Sequence, residues 1–218
     1  MRRLLPMIAL IAVAALAAAS PAHAQSGPAA QPQLSAQDRA DVARVEQYFN
    51  SIKSFQARFN QVSSIGGKQI AGNFYVRRPG RLRFEYDPPA KVVIVSDGAQ
   101  VTYYDAARDE LSQVPLGWSV ANFLVQENLK LSGDLTVTRV DRADGLLQLT
   151  IIQTKSPQEG KLLLVVTEQP MQLKRWSVID AKEREIMITL SDMKTGVNLK
   201  NDLFYVDIDP NKANRPRP

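Results

Sequence analysis

The sequence predicts a mainly β fold with a few helices, built on a curved antiparallel sheet of about ten or eleven strands that curls into a barrel or part-barrel. Three observations predict it. Apolar and polar residues alternate with period two through most of the chain beyond Ser54. Short turns such as Gly66-Gly67, Asp97-Gly98 and Asp144-Gly145 separate the runs. Only two stretches have helical spacing, too few to alternate with strands as a parallel α/β fold requires.

The N-terminus carries Arg2 and Arg3, an apolar run from Leu4 to Ala19, and Ala22-His23-Ala24 before Gln25. That charged, apolar, small-residue order predicts a signal peptide over 1–24, cleaved after Ala24, and therefore export. The rival reading is a membrane anchor; the run falls short of the roughly 20 residues a spanning helix needs, and Pro6 and Pro21 bracket it. Cleavage removes two of the five net positive charges, leaving a surface too weakly basic to argue for nucleic acid. Residues 25–34, rich in Gln, Pro and Ala, read as a disordered lead-in to one domain over 35–210.

A helix follows. Ser35 can cap it, and Val42, Val45, Phe49 and Ile52 fall on one stripe. Strand runs then start at Phe55, Gln69, Arg81, Lys91, Val101 and Glu110, and, after an interruption, at Thr136, Leu146, Lys161, Leu173, Glu185 and Leu203. In the third run Leu82, Phe84 and Tyr86 take one face, while Arg81, Arg83 and Glu85 take the face expected to be wet. Between Pro115 and Ser132, residues Trp118, Val120, Ala121, Phe123, Leu124, Val125 and Leu129 read as one or two short helices, either plain core or functional. The end, 211–218, reads as a mobile basic tail, with a docking arm as the alternative.

Composition excludes much chemistry. There is no Cys, and the single His is His23 inside the expected signal. A Cys nucleophile, a Ser-His-Asp triad and the common zinc sites are thereby excluded, and no Gly-Lys phosphate motif points to ATP, so neither a metal nor a cofactor is expected. A pair of carboxylates working on a glycoside stays open, although Asp109 with Glu110 and Glu183 with Glu185 look like solvated turns and strand faces. One residue is out of phase: Arg78 continues the apolar face of Phe74 and Val76. Either it turns inward and bonds backbone carbonyls or a carboxylate lying over the sheet, or Pro79 ends the strand and twists it back to water.

The runs Phe55-Gln56-Ala57-Arg58-Phe59-Asn60-Gln61, Gly72 to Phe84 with Arg77-Arg78-Pro79-Gly80-Arg81, and Val95-Ser96-Asp97-Gly98 with Tyr103-Tyr104-Asp105 resemble the periplasmic outer-membrane lipoprotein carriers, the LolA family. The resemblance implies an unclosed β-barrel with a helical lid over an apolar cavity. It implies Arg78 as the lid latch, and an acyl-chain lining that takes in Phe49, Phe74, Val76, Leu82, Phe84, Tyr103, Phe123 and Leu124. It further implies a non-enzymatic, monomeric periplasmic carrier. Its partners would be acylated lipoproteins, an inner-membrane ABC-type lipoprotein-releasing transporter and, where present, an outer-membrane acceptor. The alternative within the same architecture is a lipid- or lipoprotein-sensing module; a hydrolase is the third reading.

Overall fold

The computed structural model describes residues 33–118 and 122–206. The expected signal peptide, most of the lead-in, Val120, Ala121 and the tail lie outside the described residues.

Helix α1 (Ala36–Ser51) begins at Ser35, whose hydroxyl accepts from the Asp38 amide while the Asp38 carboxylate accepts from the Ser35 amide, a reciprocal cap. Leu34, just before it, packs half-buried on the core. Eleven antiparallel strands follow: β1 (Ser54–Ser63), β2 (Gln69–Arg77), β3 (Arg81–Tyr86), β4 (Val92–Asp97), β5 (Gln100–Asp105), β6 (Glu110–Pro115), β7 (Leu135–Ala143), β8 (Leu146–Gln153), β9 (Gly160–Glu168), β10 (Met171–Asp180) and β11 (Glu185–Thr195). The order across the sheet is β6-β5-β4-β3-β2-β1-β11-β10-β9-β8-β7, so two meanders meet where β1 pairs β11, and β6 and β7 remain as edges of an unclosed, curved sheet. Register shifts in the β1–β11, β9–β10 and β7–β8 ladders mark bulges, which increase local bend and twist.

The stretch from β6 to β7 holds a 3-10 turn (Leu116–Trp118) and the single-turn helix α2 (Asn122–Val125). With α1 it packs on the inner face, where Val45, Phe49, Phe55, Phe59, Phe74, Leu164 and Trp176 belong to one continuous apolar core. Gly72 is required there: a Cβ would lie 2.5 Å from the Phe59 ring and 2.2 Å from the Glu85 carbonyl oxygen.

Two expectations need correction. The run from Leu203 is not a strand; Asn201–Phe204 form a 3-10 turn, and residues from 207 on lie outside the described ones. The turn seats Leu199 and the fully buried Phe204 against Val95 on the outer face of the sheet. That face is therefore not wet. Arg83 is buried, Arg77 and Arg81 are half-buried, Arg77 donates to the Leu199 carbonyl (2.5 Å), and its guanidinium carbon lies 5.0 Å from the centre of the Phe204 ring. Alternation separates two faces of a strand correctly but does not say whether a distant segment covers the second one.

Candidate functional site

The site is assembled by the turn between β2 and β3. Arg78 donates its amide to the Lys53 carbonyl just after α1 (2.8 Å), and Gly80 donates its amide to the Val125 carbonyl at the end of α2 (2.8 Å). Gly80 has φ +79°, and a Cβ there would lie 2.7 Å from the Gly98 Cα, so both backbone conformation and space call for glycine. The Ser96 hydroxyl donates to the Gly80 carbonyl (2.7 Å) and holds the turn from the sheet side.

From this turn the Arg78 side chain points inward, 9% exposed. Its Nε donates to the Leu124 carbonyl of α2 (2.9 Å), and its Nη1 donates to the Phe49 carbonyl of α1. Burial pulls its pKa down to about 10, against the opposing influence of Tyr48. Arg78 thus spends a desolvated charge on the backbone of both helical elements at once, a fixed-fork geometry that lysine does not offer.

Beneath it, Phe49, Phe74, Val76, Leu82, Phe84, Phe123 and Leu124 all fall in the one buried core. Phe74 and Phe84 stack with ring centres 4.0 Å apart. Sequence reasoning missed the side chain they surround: Trp176 on β10, 5.7 Å from Phe74 and 6.3 Å from both Phe84 and Phe123. Its only local signal is its place among the buried residues of a strand. Tyr103 pairs with Ile94, which pairs with Phe84, and so shares their face; it is half-buried and stands outside the cluster.

Polar side chains of α1 tie it to its surroundings, and these too were missed. Asn50 donates to the Leu129 carbonyl (3.1 Å) and accepts from the Leu129 amide (2.7 Å), while Glu46 accepts from the Leu131 amide (2.6 Å). The Tyr48 hydroxyl accepts from the Leu173 amide on β10 (2.9 Å), and burial raises its pKa. Asp41, 1% exposed, meets Arg142 of β7, Arg44 and Gln37. Burial alone would raise its carboxyl, but those donors outweigh it and hold the pKa below the usual carboxylate range.

A cavity of about 580 Å³ opens at the far end of the inner face, between α2 and the ends of β7 to β10. Leu135, Ile151, Leu162, Val178 and Ile179 line it; of the expected acyl-chain residues, Phe123 alone borders it. Phe49, Phe74, Val76, Leu82, Phe84 and Leu124 are buried in the core outside this cavity's lining, and Tyr103 stands half-buried apart from both. Among the described residues, no group of three or more His, Cys, Asp or Glu could hold a metal ion, and no helix is long and apolar enough to cross a membrane. Asp109 and Glu183 sit exposed in turns. What the arrangement offers chemically is apolar burial under a hydrogen-bonded clasp.

Over 169 residues the chain is 25% identical to an outer-membrane lipoprotein carrier protein of Methylococcus capsulatus, spanning 74% of this chain and 81% of that one. Over 180 residues it is 26% identical to the carrier protein of Coxiella burnetii, spanning 78% and 84%. A solved LolA superfamily protein from Nitrosomonas europaea superposes over 76% of this chain and 98% of its own, with 13% identity and a TM-score of 0.44. The sequence pattern of the outer membrane lipoprotein carrier protein LolA matches residues 50–207. The chain belongs to the LolA family of outer membrane lipoprotein carrier proteins.

Proposed function

We propose that this chain is a non-enzymatic periplasmic carrier that shelters the acyl chains of lipoproteins leaving the inner membrane and delivers them to the outer membrane. Each buried CH₂ of an acyl chain is worth about 0.8 kcal/mol, so a multiply acylated protein does not cross water without a host for its chains. The observation that carries the reading is Arg78. Its donors join the carbonyls of Phe49 and Leu124, from two separate helical elements lying over a wholly apolar core. Exchange of those bonds for contacts with water or cargo would part the elements and expose Phe49, Phe74, Val76, Leu82, Phe84, Phe123 and Leu124 as an acyl-chain lining. The difference in Arg78 bonding between the two forms then sets their balance. Loading would take place at an inner-membrane ABC-type lipoprotein-releasing transporter, and unloading at an outer-membrane acceptor or the membrane itself, with the carrier acting as a monomer.

The test is release. The chain from Gln25 onward is incubated with spheroplasts or with transporter-bearing inner-membrane vesicles, and acylated lipoprotein is sought in the soluble fraction bound to it. A soluble complex is expected. Lipoprotein retained in the membrane, while the chain still binds free lipopeptide, would replace the carrier with a sensing module of the same fold.

A further inference from the structure

Large apolar side chains reach water at few places among the described residues, and two of these places coincide. Ile65 is 60% exposed and Ile186 is 44% exposed. They lie on adjacent tips: Ser64 donates its amide to the Glu185 carbonyl (2.9 Å), the Glu185 amide donates to the Ser64 hydroxyl (2.8 Å), and Ser63 pairs with Ile186 in the β1–β11 ladder. Ile186 is in phase with the buried Ile188 and Leu190, so it belongs to the inner face. Its partner across the β10–β11 ladder is Val178, which lines the 580 Å³ cavity. The apolar lining therefore continues outward from Val178 to Ile186, and Ile65 stands on the neighbouring hairpin tip.

A Cβ added at Gly66 or Gly67 would meet nothing within 4 Å, so Ile65 stands at the end of a hairpin surrounded by open space. Each tip carries an exposed lysine, Lys68 and Lys182, with no carboxylate within ion-pair distance among the described residues. The carboxylates of Asp180 and Glu183 on the second tip are taken by Arg184 (2.5 Å) and Lys161 (3.3 Å). A protruding apolar point flanked by ammonium groups suits a lipid interface, where the side chain enters the acyl boundary and the lysines reach headgroup phosphates.

We propose that this end of the molecule docks on a phospholipid bilayer through Ile65 and Ile186, bringing the cavity mouth against the membrane so that an apolar chain passes along Ile186 and Val178 without crossing water. Docking by itself does not depend on the carrier reading, since it needs no lipoprotein.

The experiment is co-sedimentation of the chain from Gln25 onward with phosphatidylethanolamine/phosphatidylglycerol vesicles. Reversible binding is expected, falling about tenfold or more in the Ile65→Ser, Ile186→Ser double variant, with an unchanged melting temperature because both side chains are already exposed. As a gain of function, Ile65→Trp should bind more tightly and shift its emission to the blue on adding vesicles. Absence of wild-type binding, or equal binding by the double variant, would overturn the proposal. So would self-association of the wild type relieved by the same substitutions, which would assign the tip to a second copy of the chain. Binding of a fluorescent fatty acid, measured in parallel without vesicles, reports on the acyl-chain site separately, so failure of one idea is distinguishable from failure of the other.

Discussion

Arg78 meets Phe49 in two ways: its Nη1 donates to the Phe49 carbonyl, and its guanidinium carbon lies 5.6 Å from the centre of the Phe49 ring. The same residue thus offers Arg78 both an acceptor and a π face, and the end of α1 is held by charge as well as by packing. Leu124 supplies only its carbonyl.

Arg78→Leu removes both side-chain bonds and leaves the Leu124 carbonyl unmet in the closed form. With hydrogen bonds to charged groups worth about 1.5–3 kcal/mol each, closure should weaken by one to several factors of ten. Hydrogen exchange should speed up over 122–126 and a hydrophobic dye should bind more readily, while the strand amides change less. Unaltered exchange in that segment, together with unaltered lipoprotein transfer, would remove the latch.

Asn50→Ala strands the amide and carbonyl of Leu129 together. The expected loss is about 1–3 kcal/mol, read by urea denaturation, with faster exchange of the Leu129 amide. Asn50→Asp, which keeps the acceptor and loses the donor, should fall between the two.

The Asp41–Arg142 contact should make stability depend on acid. The folded pKa of Asp41 is lowered, so its contribution is present above the usual carboxylate range and disappears as the pH falls through the lowered value. Asp38, lowered first by the Ser35 hydroxyl and then by Arg142, acts in the same direction. Arg142→Gln should be less stable than the wild type at pH 7, and the two should converge below the carboxylate range in denaturation curves taken from pH 7 to 2.

Phe204→Ala should cost about 3–5 kcal/mol, as for other fully buried phenylalanines. Its effect should be confined to the outer face: loss of exchange protection over 199–206, with Trp176 emission nearly unchanged.

An acyl chain entering the inner core must pass close to Trp176, which contacts Phe74, Phe84 and Phe123. In a Trp118→Phe background, titration with a fatty acid or lipopeptide should change Trp176 emission saturably. A flat titration alongside demonstrable binding would move the chain elsewhere.

Period two and the glycine turns made all eleven strands and the curved sheet legible, because both are local. The phase of Arg78 was legible for the same reason, lying in step with Phe74 and Val76. Its acceptors were not, since Phe49 and Leu124 belong to segments brought together only by the fold. Nothing near Asp41 marks it as buried; Arg142, far along the chain, is what allows it to be so. Arg83 misled in the opposite sense. Its alternation was read correctly, but Leu203 and Phe204 return to cover it, and nothing near residue 83 announces them.

The seam between β1 and β11 has a consequence for how the chain reaches this form. β1 obtains its β2 neighbour across a short turn, but its other neighbour is the last strand of the sheet. The first six strands can zip up locally while one flank of β1 stays open, waiting for nearly the whole remaining sequence. Closing so long a loop is slow relative to forming hairpins. During refolding the Phe59–Leu190 region should therefore be the last ladder protected in pulse-labelled exchange. Until then the bare flank of β1 is a site where another unfinished molecule could pair, which makes this seam the step most in need of guarding against aggregation.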